Sequence, residues 1–232
     1  LLDPAVPNAL VFDIGGGSTE LGWMQLPEDG GFFGDGAAPE LAGWCSLPIG
    51  VVTLAERHGG RRVTAAAYRA MVEEVEAAVA PFEAEHRLAE RVAAGRLQML
   101  GTSGTVTTLA GIEQDLPRYQ RTRVDGRYLD FATVAAISRR VAGMSYDERV
   151  AHPCIGRERA DLVIAGCAIL EAFCRLWPVG RLRVADRGLR EGMLFLMMHG
   201  PAACAPRRPA GSTTPPATPT SGVPRAGGLQ PV

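Results

Sequence analysis

The chain has 232 residues, 47 % of them hydrophobic, and a formal net charge of −1. That is enough length and apolar content for one large domain or two small ones, and the near-neutral balance leaves no basic footprint for nucleic acid. There is no lysine; all positive side chains are arginines, which removes a Walker A lysine, a Schiff-base lysine or a lysine general base.

The first element expected is a strand, Ala9 to Ile14, with Thr19 to Leu26 returning as its hairpin partner. The turn-rich stretch from Pro27 to Glu40 reads as a loose loop, and Leu41 to Gly50 as a third strand. A short helix follows, stopped by Gly59 and Gly60. Tyr68, Met71, Val72, Val75, Val79 and Phe82 recur at helical spacing, and Pro81 is expected to kink or divide that helix. Arg96 to Thr105 reads as a strand running into a Gly/Ser/Thr turn, after which the chain becomes helical. A polar excursion ends near Asp130. Phe131 to Val150 and Glu158 to Trp177 then read as two helices, the second apolar nearly all round and so buried. "RLRVADRG" is a closing strand and "LREGMLFLMMHG" a closing helix. Beyond Gly200 a Pro/Thr/Gly-rich tail, 201–232, has too little to bury and is expected to be disordered.

The five cysteines are scattered without a C-x-x-C, which argues for reduced thiols in the cytoplasm. No apolar run is long enough for a membrane span, and no signal segment opens the chain. The chain starts on Leu1 without an initiator Met and soon enters a strand, so sequence is expected ahead of it.

Three glycine turns carry the chemistry. In "VFDIGGGSTELGW", a hairpin centred on Gly16–Gly17 sets Asp13 opposite Glu20 and Gly15 opposite Ser18. Like charges facing across strands repel, so the pair calls for a cation. A hard divalent ion such as Mg²⁺ takes carboxylates and waters and reaches on to phosphate oxygens. Gly15, Gly16 and Gly17 are expected to adopt positive φ and offer their N–H groups to an anion, with Ser18 and Thr19 adding hydroxyls. The alternative is an ordinary type I′ hairpin with solvated acids. The second turn, Gly101-Thr102-Ser103-Gly104-Thr105, opens a helix whose free N–H groups favour an anion. Its alternative is a plain cap by Ser103 or Thr105. The third places Arg187 and Arg190 beside Gly188, either as a phosphate clamp or as a solvated turn. His58 and His152 read as loop histidines without metal-ligand or triad spacing, and Ser103 has no downstream acid and His to make it a hydrolase nucleophile.

The ordered set "VFDIGGGSTEL", "MLGTSGTVTTLAGI", "ADLVIAGCAILEAF" and "VADRGLREGML" resembles the exopolyphosphatase / guanosine pentaphosphate phosphohydrolase (Ppx/GppA) phosphatases of the actin-like ATPase superfamily, over about Ala9 to Met198. The resemblance implies an α/β, ribonuclease-H-like lobe, a mixed sheet flanked by helices, spanning residues 1–200. It implies Mg²⁺-dependent hydrolysis of the terminal phosphoanhydride of inorganic polyphosphate or of the 5′-phosphate of pppGpp. It makes Asp13 and Glu20 metal- and water-organising carboxylates. It makes Gly15 to Ser18 phosphate-binding and matches Gly101 to Thr105 to the loop that holds adenosine in actin-like ATPases, which binds phosphate chain or nothing where no nucleotide is used; Thr19 and Arg190, read from the turns themselves, complete the candidate phosphate-binding set. Relatives have a first lobe carrying the usual general base; this chain is expected to be the second lobe only, weakly active or inactive alone. The missing lobe of the same enzyme is then its expected partner, and a cleft face left open would favour a homodimer. Thr53 stands where the family commonly has an Arg, removing one phosphate contact. A non-catalytic nucleotide- or polyphosphate-binding lobe of actin-like type is the rival reading.

Overall fold

The computed structural model describes residues 1–27 and 39–188. Within them one six-stranded mixed sheet runs in the order β3-β2-β1-β4-β6-β5. β1 (Asn8–Ile14), β2 (Thr19–Gln25) and β3 (Glu40–Leu47) form an antiparallel meander. β4 (Leu97–Gly101) lies parallel to β1, and β6 (Arg181–Val184) parallel to β4. Period-two alternation sends Leu10, Phe12, Leu21, Trp23, Met99, Leu182 and Val184 into the core.

The helices are α1 (Val51–His58), α2 (Ala65–His86), α3 (Leu88–Ala93), α4 (Gly104–Glu113), α5 (Arg121–Val124), α6 (Phe131–Gly143), α7 (Tyr146–Ala151) and α8 (Val163–Leu176). α8 is buried along most of its length, as its all-round apolar sequence requires. Phe173 meets Phe12 edge-on with ring centroids 5.3 Å apart, tying α8 to the middle of the sheet.

Several sequence expectations are corrected. Pro81 does not divide α2, which runs unbroken through it until Arg87 takes a left-handed conformation. The helix expected over 131–150 is two. Ser145 starts α7 with a capping box, its Oγ accepting from the Glu148 N–H and its N–H donating to Glu148 Oε2. α8 begins at Val163, not Glu158, because 152–162 is a run of turns. The polar excursion hides a strand, β5 (Tyr128–Asp130), which pairs antiparallel with β6 at the sheet edge. His58 is no loop residue: it ends α1 and bonds Glu74 at 2.7 Å. The expected loop tip, the closing helix with Arg190, and the tail 201–232 lie outside the described residues.

Candidate phosphate-binding cleft

The parallel strands β1, β4 and β6 all end on the same side, and the glycine turns gather there. Ligands of open α/β sheets sit at these carboxyl ends. Two adjoining cavities share Gly104. One, of ≈ 180 Å³, runs from Asp13 and Thr102 to Asp186, Arg187 and Gly188. The other, of ≈ 260 Å³, lies between Gly15–Gly16 and the start of α4, closed by Glu158 and Arg159.

The hairpin register sets Asp13 opposite Glu20, as the sequence predicts. Burial, then the charge of Glu20, hold the Asp13 carboxyl above its ordinary value, while a hydrogen bond from Thr102 works the other way. Glu20 Oε1 accepts from Ser18 Oγ at 2.7 Å and from Ser46 Oγ at 2.9 Å; Oε2 has no partner among the described residues.

Gly15, Gly16 and Gly17 are not in the left-handed region, so the turn is not type I′, and the expectation of positive φ is corrected. A different constraint selects small residues here. The N–H groups of Val51 and Val52, at the start of α1, donate to the carbonyls of Gly15 (2.9 Å) and Gly16 (2.8 Å). The turn is thus seated on a helix N-terminus through its own oxygens. A Cβ on Gly50 would lie 2.3 Å from Gly16 O, and one on Gly15 would lie 2.9 Å from Ser18 O. With the carbonyls committed to α1, the N–H groups of Gly16 and Gly17 find no acceptor among the described residues.

At the second turn Ser103 is the N-cap of α4, its Oγ accepting from the Val106 N–H at 3.2 Å. The N–H groups of Gly104 and Thr105 stay open by helix geometry. Gly101 is glycine for packing: a Cβ there would strike the Phe12 ring at 2.7 Å. Thr19 does not line the cleft; it is fully buried and its Oγ1 donates to Ile49 O at 2.7 Å. Thr53 serves α1, its Oγ1 accepting from the Gly50 N–H at 2.9 Å. Arg187 is ion-paired with Asp125 at 3.0 Å.

Sequence reasoning missed Arg159. Its Nη1 donates to Gly104 O (3.0 Å) and Thr108 Oγ1 (2.6 Å), and no carboxylate pairs with it among the described residues. The turns that carry it are held by Arg149, 1 % exposed, whose guanidinium donates to the carbonyls of Ala160, Met144, Gly60 and Arg61. A lone "GRERAD" before an apolar helix gives no sign of either role. Asp186 was missed too: it accepts from the Tyr119 hydroxyl at 2.5 Å beside Asp13's cavity.

A model of the Ppx/GppA phosphatase family matches residues 4–200. The chain belongs to the Ppx/GppA phosphatase family. Among solved structures it is similar to the Aquifex aeolicus Ppx-GppA enzyme, at 25 % identity and a TM-score of 0.66, covering 81 % of this chain and 56 % of that one. It is also similar to an exopolyphosphatase-like protein, at 28 % identity and a TM-score of 0.66, covering 81 % of this chain and 58 % of that one. An exopolyphosphatase from Cytophaga hutchinsonii, 22 % identical with a TM-score of 0.66 over 83 % of this chain and 57 % of that one, shares the fold. The chain therefore spans less than three fifths of the length of these Ppx/GppA structures. No helix among the described residues is long and apolar enough to cross a membrane.

Proposed function

We propose that this chain supplies the phosphate-holding side of a cleft that hydrolyses the terminal phosphoanhydride of inorganic polyphosphate, or the 5′-phosphate of pppGpp. Family membership supports the reaction class. The observation that carries the site is the hairpin, with two facing carboxylates beside a turn whose N–H donors are unused.

The donor set fits Mg²⁺. One or two carboxylates, with the rest of the shell from water and substrate phosphate, is how this ion is usually held. Asp13 and Glu20 form such a pair, and a cation between them would offset the burial and like charge that raise the Asp13 carboxyl. Among the described residues no group of three or more His, Cys, Asp or Glu is placed to hold a metal ion, and this pair is the candidate. Held there, Mg²⁺ would supply charge neutralisation at the phosphate oxygens.

The chain's own groups do the rest. The Gly16 and Gly17 N–H groups, the open donors of α4 and the Arg159 guanidinium receive phosphoryl oxygens from two sides. Phosphoryl transfer needs positioning and charge stabilisation more than covalent work. The group that orients the attacking water comes from a further lobe of the whole enzyme, placed across the cleft. The cytoplasm, where polyphosphate and pppGpp are met, is the proposed location.

Calorimetry of residues 1–232 with Mg²⁺ and polyphosphate tests the site. Binding should require the ion and fall at least about tenfold, or ~1.4 kcal/mol, in the Asp13→Asn/Glu20→Gln variant. Undiminished binding would refute the assignment. Phosphate release by the isolated chain at the rate of a complete enzyme would refute the need for a second lobe.

A further inference from the structure

A cavity of ≈ 460 Å³ opens where the start of α2, the end of α6 and the middle of α8 converge, lined by Thr64, Tyr68, Arg69, Ser138, Arg139 and Glu171 among others. Its size falls within the roughly 300–1,000 Å³ of small-molecule sites. It is separate from the cleft: Glu171 lies eight residues along α8 from Val163, roughly 12 Å at the helical rise, and Val163 lines the cavity beside Gly15.

Its chemistry is sorted by depth. Ser138 is 1 % exposed, with the Tyr68 hydroxyl and the Cys167 thiol beside it. The Tyr68 hydroxyl donates to Glu171 Oε2 at 2.7 Å, and burial holds that phenol well above its ordinary value, so it stays neutral. Burial likewise pushes the Cys167 thiol up to about 12. Glu171 is already compensated, its Oε1 accepting from Arg175 Nη2 at 2.5 Å. Arg69 on α2 and Arg139 on α6 are exposed and make no ion pair or hydrogen bond among the described residues. Two uncompensated cations therefore flank an opening whose inner carboxylate is paired with Arg175, which also reaches Glu76 at 3.8 Å.

We propose that this cavity is a second binding site, for a small organic anion whose acidic group sits between Arg69 and Arg139 and whose apolar body packs on Val63, Ala65 and Ala142. Arg is suited to the acidic group because its planar fork meets carboxylate, sulfonate and phosphate oxygens in pairs. The site stands independently of the reaction proposed for the cleft.

The test is a fluorescence titration of residues 1–232 with 8-anilinonaphthalene-1-sulfonate, an aromatic sulfonate of this class. One saturable site is expected. The Arg69→Ala/Arg139→Ala variant should bind at least about tenfold more weakly, and both changes are on exposed side chains, so folding is unaffected. Ala142→Trp, which fills the cavity, should abolish uptake. Asp13→Asn/Glu20→Gln should bind the probe like the unaltered chain. No saturable binding, equal binding by the double-arginine variant, or loss with the cleft variant would each overturn the proposal.

Discussion

The hairpin turn at Gly15–Ser18 and the strand-to-helix turn at Gly101–Thr105 share a composition and are held in opposite ways. The second is capped by side chains: Ser103 caps its own helix, and Arg159 donates to Gly104 O. The first is held from outside, its carbonyls accepting from the N-terminus of α1. A side-chain cap is worth about 1 kcal/mol and can be replaced by another hydroxyl. A backbone-to-backbone seat tolerates no Cβ at Gly50, which would lie 2.3 Å from Gly16 O. The difference teaches where rigidity is built in: both turns leave two N–H donors open, but only the hairpin is seated through its own carbonyls on the start of another helix.

Gly50→Ala is the most forceful way to break this contrast. The clash is with backbone, so either the hairpin or α1 must move. Overpacking of this kind costs about 1–3 kcal/mol, and the upper end is expected here. Urea unfolding should report that loss, and polyphosphate binding should fall with it. A stability change under about 0.5 kcal/mol would mean that α1 does not hold the turn.

Ser103→Ala acts on the side-chain-capped turn. Loss of the cap should cost about 1 kcal/mol by urea unfolding, and Ser103→Asp should recover most of it. Polyphosphate affinity should change less than in Gly50→Ala, because the hairpin seat is untouched. An effect on binding equal to that of Gly50→Ala would place the main phosphate contacts at α4.

These two turns also show what a sequence can and cannot disclose. The facing of Asp13 and Glu20 was legible because hairpin pairing about two central glycines is arithmetic, and the register follows it. The buried α8 was legible from its all-round apolar sequence. Gly50 was not legible: its constraint comes from a carbonyl 34 residues earlier in the chain, and no local pattern announces a tertiary approach. Arg159 and the buried Arg149 failed for the same reason. Their partners, Gly104 and Thr108 on α4, Gly60 after α1 and Ala160 before α8, are brought together only by the fold. β5 was hidden because three residues, Tyr128–Asp130, are too few to show alternation. The split at Ser145 could have been read, since S-x-x-E before a helix is a capping signal.

Asp13→Asn sharpens the comparison in the pH dimension. The native carboxyl is raised above its ordinary 3.8, first by burial and then by Glu20. A group that holds its proton more tightly when folded loses stability as pH rises from the unfolded value through the native one, and stays at the lower level above it. The metal-free chain should therefore melt at a higher temperature as Asp13→Asn at neutral pH. The difference should vanish below about pH 3.8, where both side chains are neutral. The same variant should lose Mg²⁺-dependent polyphosphate binding. An equal melting temperature at both pH values would show that neither burial nor Glu20 raises the Asp13 carboxyl in the folded chain.

Gly17→Ala is expected to have the smallest effect on stability and separates folding from binding. A Cβ there meets nothing within 4 Å, and the residue is not in the left-handed region. Unfolding free energy should change by less than about 0.5 kcal/mol. The methyl group nonetheless stands beside one of the two unused N–H donors, where close approach of an anion depends on the missing side chain. Polyphosphate affinity measured by calorimetry should fall severalfold at unchanged stability. If affinity is untouched while Gly50→Ala abolishes it, the anion meets the hairpin through Gly16 alone. If neither variant alters binding, the phosphate sits against α4 and Arg159, and the main-chain seat serves packing only.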